Sequence, residues 1–222
     1  MRERSLLVVG AVSALLVPAA LALAAPPGST PVRVGVEARP SIVTWGTAGG
    51  IGGHVSGPRT PAGTAVVLEA DTVPFDGFLP SATSAIDASG DYGFRVSPTA
   101  NTRYRVTVRT APPAQSAEVL MYVRMRVSLR VSDASPTRGQ RVRFYGSVTP
   151  AHVGLVVRIQ KRNADGTFRN VARATLTAGS SASSSRFTGA IPIFANGVYR
   201  VLAPSHDDHV KALSALRVLR VS

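Results

Sequence analysis

Arginine side chains supply most of the chemistry that this 222-residue sequence offers. Residues 124–222 contain 14 Arg and 2 Lys against 4 Asp, a net charge of +12, whereas residues 30–123 contain 7 Arg and 7 acidic residues and are neutral. A planar guanidinium group can donate two hydrogen bonds to one phosphate or carboxylate. Where the basic half begins, arginines alternate with apolar residues, as water-facing positions of strands do. The pattern predicts one exposed anion-binding face made of Arg124, Arg126, Arg130, Arg141 and Arg143.

Such a face attracts phosphate polymers, acidic polysaccharides, lipid headgroups or nucleic acid. An anionic polymer or polysaccharide of the cell envelope is the expected partner. Nucleic acid is disfavoured, because no recognition helix and no stacking aromatic residues accompany the arginines. The alternative is an ordinary solvated surface: Arg outnumbers Lys 23 to 2, as codon bias would produce, and outward charge keeps edge strands from pairing.

The segment His206–Asp207–Asp208–His209 combines imidazole and carboxylate groups, which are ligands for zinc and similar ions. The first half of the chain has Ala111–Pro112–Pro113–Ala114 at the corresponding place, so the fold does not require these groups. His54 and His152 are isolated in the sequence. We therefore expect a solvated loop, no metal site and no cofactor.

Catalytic motifs are absent from the sequence. It contains no Gly-x-Ser-x-Gly, no His-Glu-x-x-His and no phosphate-binding loop. The absence of cysteine excludes thiol catalysis and cysteine-based metal sites. The prediction is a protein that is not an enzyme. A metal-dependent enzyme built on His206–His209 is the remote alternative.

The first 24 residues have the features of a signal peptide. Arg2 and Arg4 precede an uncharged apolar run from Ser5 to Ala24, and Ala22–Leu23–Ala24 matches a cleavage site. The run is also long enough to span a bilayer, so an uncleaved anchor is the alternative. Either form predicts export, with the mature protein secreted or associated with the cell envelope. No later stretch is apolar enough to cross a membrane.

A sequence repeat indicates the architecture. Ala100–Val106 returns as Ala195–Val201 with five identities in seven, and Thr44–Trp45–Gly46 returns as Thr137–Arg138–Gly139. The offset, near 95 residues, exceeds a solenoid repeat and suits a small β-sandwich. The expected fold class is all-β, with two tandem immunoglobulin-like sandwiches at residues 30–123 and 124–222.

Alternating runs bounded by Gly, Pro, Asn and Asp predict seven strands in each copy. They are expected near 32–37, 48–56, 64–70, 83–88, 92–97, 101–109 and 117–123, and near 125–131, 140–148, 154–161, 168–176, 185–191, 196–203 and 211–221. Arg158, Arg162 and Arg200 should face outward from the second sheet of the basic copy. Residues 117–132 lack Gly and Pro, which predicts a stiff junction between the copies.

Several motifs recur in both copies: Thr-x-Gly before the second strand, an Asp-Gly turn, and Asn-x-x-Tyr-Arg-Val in the sixth strand. With Gly146–Ser147–Val148, these motifs make residues 30–222 resemble the bacterial immunoglobulin-like, or fibronectin-III-like, repeats of exported surface proteins. The resemblance implies an adhesive, spacer or carbohydrate-associated module. The functional hypothesis is a non-enzymatic binding or spacer protein at the cell envelope whose second domain contacts an anionic polymer or surface. The alternative is a purely structural stalk or assembly subunit with incidental charge.

Overall fold

The computed structural model describes residues 31–58 and 60–222, all of which lie in strands, turns and loops. The predicted signal peptide, residues 1–24, falls outside the described residues. Within the described part, no helix is long and apolar enough to cross a membrane.

Two sheets form from the first copy. Their strands are β1 (Arg33–Val34), β2 (Glu37–Arg39), β3 (Ile42–Thr44), β4 (Gly49–Ser56), β5 (Ala65–Thr72), β6 (Leu79–Ala85), β7 (Asp91–Val96), β8 (Thr102–Val108), β9 (Ala114–Gln115) and β10 (Val119–Arg124). In the β4 sheet, β1 and β2 pair with one edge of β4 and β7 pairs with the other. The β8 sheet has the order β3-β10-β8-β5-β6, with β9 also on β8. Pairing is antiparallel except between β3 and β10.

The second copy repeats this plan. Its strands are β11 (Arg126–Val127), β12 (Arg130–Val131), β13 (Arg141–Thr149), β14 (Val156–Arg162), β15 (Phe168–Thr175), β16 (Thr177–Ala178), β17 (Ser185–Pro192), β18 (Gly197–Ala203), β19 (Ala212–Leu213) and β20 (Arg217–Leu219). In the β13 sheet, β11 and β12 pair with one edge of β13 and β17 with the other, followed by β16. The β14 sheet has the order β15-β14-β18, with β19 and β20 on β18.

Each pair of sheets encloses an apolar core. In the first copy, Ile51 of β4 packs with Leu68 of β5 and Val106 of β8. In the second copy, Phe144 of β13 packs with Ile159 of β14 and Val201 of β18. Inward apolar residues alternate with outward polar ones, as in a sheet with one solvated face. The prediction of an all-β chain built from β-sandwiches is confirmed.

The repeated Asn-x-x-Tyr-Arg-Val motif has the same role in both sandwiches. The Oδ1 atom of Asn101 accepts a hydrogen bond from the backbone N–H of Val123 at 2.9 Å, and Asn196 Oδ1 accepts one from Val221 N–H at 2.7 Å. Tyr104 and Tyr199 are buried, with 4% and 3% of their surface exposed. The asparagine of the motif therefore ties the last segment of each sandwich to the start of β8 or β18. The tyrosine of the motif fills the core beside that strand.

The two sandwiches meet without a linker. Strand β10 ends at Arg124 and β11 begins at Arg126, so only the buried Met125 lies between them. Trp45 N–H donates to Arg124 O at 2.8 Å, and Val210 N–H donates to Val123 O at 2.9 Å. These backbone bonds join a turn of the first copy and a loop of the second copy to the strand that connects them.

Several elements differ from the predicted strands. The short β3, which pairs in parallel with β10, was not predicted, and neither were the two-residue strands β9 and β16. The first predicted strand of each copy is broken in two, into β1 and β2 and into β11 and β12. The fourth strand of the first copy lies at Leu79–Ala85 rather than 83–88, because it extends along β5 as far as Ala70. The last predicted strand, 211–221, is broken into β19 and β20, which pair with opposite ends of β18.

Candidate functional site

Five arginines share the outer surface of the β13 sheet. Val142, Phe144 and Val148 point into the core, so the alternate residues of β13 point to solvent. Residues paired across strands share a face, and the register places Arg126 opposite Thr149, Arg130 opposite Tyr145 and Arg186 opposite Ser147. We call this surface the basic face; its arginines are Arg126, Arg130, Arg141, Arg143 and Arg186, all of them exposed.

Arg124, which was predicted to belong to this surface, lies elsewhere. It is the last residue of β10, where it pairs with Thr44 of β3 in the first sandwich. It also forms a bridge with Val210 at the junction. The last strand of the first copy continues one residue further than predicted, and the residue therefore belongs to the other sandwich. Arg186, which the sequence analysis missed, takes the fifth place on the basic face.

The arginines of the basic face lack acidic partners. Among the residues that the structure describes, none of the five has a carboxylate oxygen within 4.0 Å. Arg126 Nη2 donates to Trp45 O at 3.2 Å, and Arg141 Nη2 donates to Ala190 O at 3.1 Å. The Arg143 guanidinium lies 5.2 Å from the centre of the Tyr145 ring. These contacts orient the side chains and leave their charge uncompensated.

A depression opens between three of these arginines. It has a volume of about 750 Å³ and is lined by Arg130, Arg143 and Arg186 together with Ser128, Tyr145 and Thr188. Gly146 forms part of its floor and adds no side chain. Hydroxyl and guanidinium donors thus surround an open site on a positively charged surface. Such a site can accept hydrogen-bonding anions.

The opposite sheet of the same sandwich presents its arginines differently. Arg158 and Arg162 of β14 are exposed, as predicted. Arg200 of β18 is half-buried: its guanidinium lies 3.6 Å from the centre of the Phe168 ring, and its Nε donates to Gln160 Oε1 at 2.9 Å. Arg200 therefore supports packing on this sheet, and the two faces of the sandwich are not equivalent.

His152, which is isolated in the sequence, lies beside the loop at residues 206–209. This loop is solvated only in part, because His206 and Asp207 are exposed whereas His209 is buried. His152 precedes β14 and the loop follows β18; because β14 and β18 pair antiparallel, the two segments meet at one end of the sheet. His152 Nε2 lies 3.1 Å and His206 Nδ1 2.8 Å from Asp208 Oδ1, and His209 Nδ1 lies 3.1 Å from Asp208 Oδ2. Only 1% of the surface of His209 is exposed.

The carboxylate at the centre of this His–Asp cluster is held in its charged form. Partial burial alone would raise the pKa of Asp208, but the ring nitrogens of His152, His209 and His206 beside it outweigh burial. The net result is a pKa well below the usual range of an aspartate. Asp208 is therefore an anion surrounded by three imidazole rings.

Comparisons with known proteins add a likeness in fold. No family model matches the sequence, and no curated protein matches it. One similar solved structure is red sea bream transglutaminase, with a TM-score of 0.41 and 11% identity, covering 86% of this chain and 32% of the other. Another is a tetra-tandem repeat from the extending region of a large adhesion protein, with a TM-score of 0.32 and 14% identity, covering 84% and 49%. The chain thus spans less than half the length of either structure.

The paired sheets and their two cores place the chain in a broad class, that of tandem β-sandwich proteins. The resemblance to immunoglobulin-like repeats is supported at the level of the sandwich alone. The prediction that the chain is not an enzyme is corrected, because red sea bream transglutaminase is an enzyme and its match contradicts that prediction. The fold gives no ground for excluding catalysis.

Proposed function

We propose that this chain is an exported binding or spacer protein of the cell envelope, and that its second sandwich contacts an anionic polymer or surface through the basic face. The observation that carries the proposal is the alignment of five exposed arginines on one sheet face with no carboxylate nearby among the described residues. Export rests on the signal-like sequence of residues 1–24.

The arrangement suits an extended ligand better than a compact one. Outward residues along a strand repeat about every 6.8 Å, and neighbouring strands lie about 4.8 Å apart. Arg141 and Arg143 lie along β13, while Arg130 and Arg186 lie on the strands at either side of it. A polymer with regularly spaced charges can therefore contact several arginines at once, and the contacts reinforce one another.

A salt series with charge-matched variants tests the proposal. The full chain is titrated onto polyphosphate, and the triple change Arg130→Ser, Arg143→Ser and Arg186→Ser is compared with Arg158→Ser, Arg162→Ser and Arg173→Ser on the β14 sheet. Loss of three exposed charge contacts should weaken binding about tenfold or more. The slope of log K against log salt should fall by about 2–3, at roughly 0.7–0.9 for each contact. The control variant carries the same net charge and should bind nearly as the unmodified chain does.

Equal weakening by both triple variants would mean that only net charge matters, and the basic face would be removed from the proposal. Repeating the series on isolated cell envelope then separates a soluble polymer from a surface. Retention on envelope that the basic-face variant loses and the control keeps would support the envelope assignment.

A structural stalk is the second candidate, and the junction favours it. Strand β10 passes into β11 through the buried Met125, and backbone hydrogen bonds from Trp45 and Val210 brace the connection. Such a junction resists bending, as a spacer requires. In the salt series, a stalk with incidental charge would show no difference between the two triple variants.

A further inference from the structure

We propose that the His–Asp cluster of the second sandwich is a binding site for a divalent transition-metal ion of the Zn²⁺ type, with His152, Asp208 and His209 as ligands and His206 at the rim. The potential ligand atoms of His152, Asp208 and His209 all lie within 4.8 Å of one another. Imidazole nitrogen and carboxylate oxygen are the donors that zinc takes in such sites.

The surroundings of His152 direct its Nε2 atom toward Asp208. His152 Nδ1 lies 3.0 Å from Pro150 O, which can only accept, so Nδ1 donates to this carbonyl group. The other ring nitrogen, Nε2, lies 3.1 Å from Asp208 Oδ1. These two atoms therefore face one point, as two ligands of one cation do.

His209 is the second indication of a bound ion. Its side chain is 2% exposed, and neither ring nitrogen has a hydrogen-bond partner among the described residues, although Nδ1 lies 3.1 Å from Asp208 Oδ2. A buried imidazole without a partner is rare in folded proteins. A metal ion bound by His152, Asp208 and His209 would give one nitrogen of the His209 ring a partner.

The Asp208 carboxylate lies between the two ligating rings. Its Oδ1 atom is 3.1 Å from His152 Nε2, and its Oδ2 atom is 3.1 Å from His209 Nδ1. Ligands about 2.0–2.1 Å from zinc lie about 3.3 Å from each other at tetrahedral angles, so each histidine is at a suitable distance from one carboxylate oxygen. The hydrogen bond from His152 Nδ1 to Pro150 O fixes the orientation of the ring. Metal-ligating histidines commonly donate their other ring nitrogen to a backbone carbonyl group in this way. Small side-chain shifts would complete the site.

The same loop connects the site to the first sandwich. The backbone carbonyl of Asp208 accepts from Asn101 N–H at 2.8 Å, and that of Asp207 accepts from Asn101 Nδ2 at 3.2 Å. Val210 N–H donates to Val123 O at 2.9 Å. A metal ion that fixes Asp208 and His209 would therefore also stabilise the contacts between the sandwiches. Metal binding is expected to slow hydrogen exchange at the amides of Asn101 and Val210.

Calorimetric titration of the chelator-treated full chain with Zn²⁺ alone tests the site. The expected result is one Zn²⁺ per chain and no comparable binding of Ca²⁺ or Mg²⁺, which prefer oxygen ligands. The variants His152→Gln and Asp208→Asn should each weaken binding at least about tenfold, the lower end of losses seen when residues that merely orient ligands are changed. His54→Ala is the control, because His54 pairs with Asp91 at 2.9 Å on the exposed surface of the first sandwich.

Far-UV circular dichroism of each variant confirms that it is folded before it is titrated. His152→Gln and Asp208→Asn are chosen over His209→Ala, because removal of a buried ring could unfold the loop. Failure of the unmodified chain to bind Zn²⁺ at micromolar concentration would overturn the proposal. So would Zn²⁺ binding that both variants retain, since the ion would then be held elsewhere.

Discussion

Replacing Phe144 with Ala should lower the free energy of unfolding of the second sandwich by about 3–5 kcal/mol, the usual cost of removing a buried aromatic ring. Phe144 is fully buried at the centre of that core. Its ring centre lies 5.1 Å from that of Tyr199, so the substitution also removes a contact between aromatic rings. Urea denaturation followed by far-UV circular dichroism measures the change.

Phe194→Ala in the same sandwich is the matched control. More than half of the surface of Phe194, 57%, is exposed, and its replacement should change stability by no more than about 0.5 kcal/mol. A loss as small for Phe144→Ala as for Phe194→Ala would mean that the β13 and β14 sheets do not share the core described here. Trp45 is the single tryptophan and packs against the core of the first sandwich near the junction, so its fluorescence reports on that half and on the junction.

Much of the fold could be predicted from alternation alone. A strand that is buried on one side has apolar residues at every second position, and this pattern is visible in a single sequence. The expected strand at 140–148 is observed at Arg141–Thr149, and its inward residues Val142, Phe144 and Val148 are fully buried. Strand β3 could not be found in this way, because its three residues pair in parallel with a strand distant in sequence.

Exposure of the arginines was predictable, but their grouping was not. All five predicted residues are exposed, since alternation determines which side of a strand a residue occupies. Which sheet the strand joins depends on pairing, and Arg124 pairs with the first sandwich. Arg186 could have been found, because it lies between the inward residues Ser185 and Phe187 of a predicted strand. Whether the basic face binds anions stays a prediction.

The His–Asp cluster could not be predicted from a single sequence. His152 and Asp208 are separated by 56 residues, and no local pattern connects them. They meet because β14 begins where β18 ends, which is a property of the sheet order. The segment was expected to be a solvated loop before the last strand. His206 and Asp207 are exposed, as in such a loop, but His209 is buried. The burial of His209 comes from tertiary contacts that hydropathy does not encode.

In both sandwiches, the first strand is interrupted where it passes a glycine of the neighbouring strand. The first strand of each copy is interrupted, at Gly35 and at Ser128, and the carbonyl group of each of these residues lies against a glycine of the neighbouring strand. A Cβ atom added to Gly53 would overlap Gly35 O, and one added to Gly146 would overlap Ser128 O. Glycine is thus required by close approach of backbones, although the glycine-rich β4 alone suggests only a weak strand.

Gly53→Ala and Gly146→Ala should therefore each destabilise their own sandwich by about 1–3 kcal/mol, the range for atoms forced into a packed site. Gly93→Ala is the control in β7, because its added Cβ would have no atom within 4 Å. Removing a flexible residue there should leave stability unchanged or raise it by up to about 1 kcal/mol. Urea denaturation of the three variants provides the comparison. If Gly53→Ala behaved like Gly93→Ala, the first strand would be free to move away from β4, and the interruption at Gly35 would have another cause.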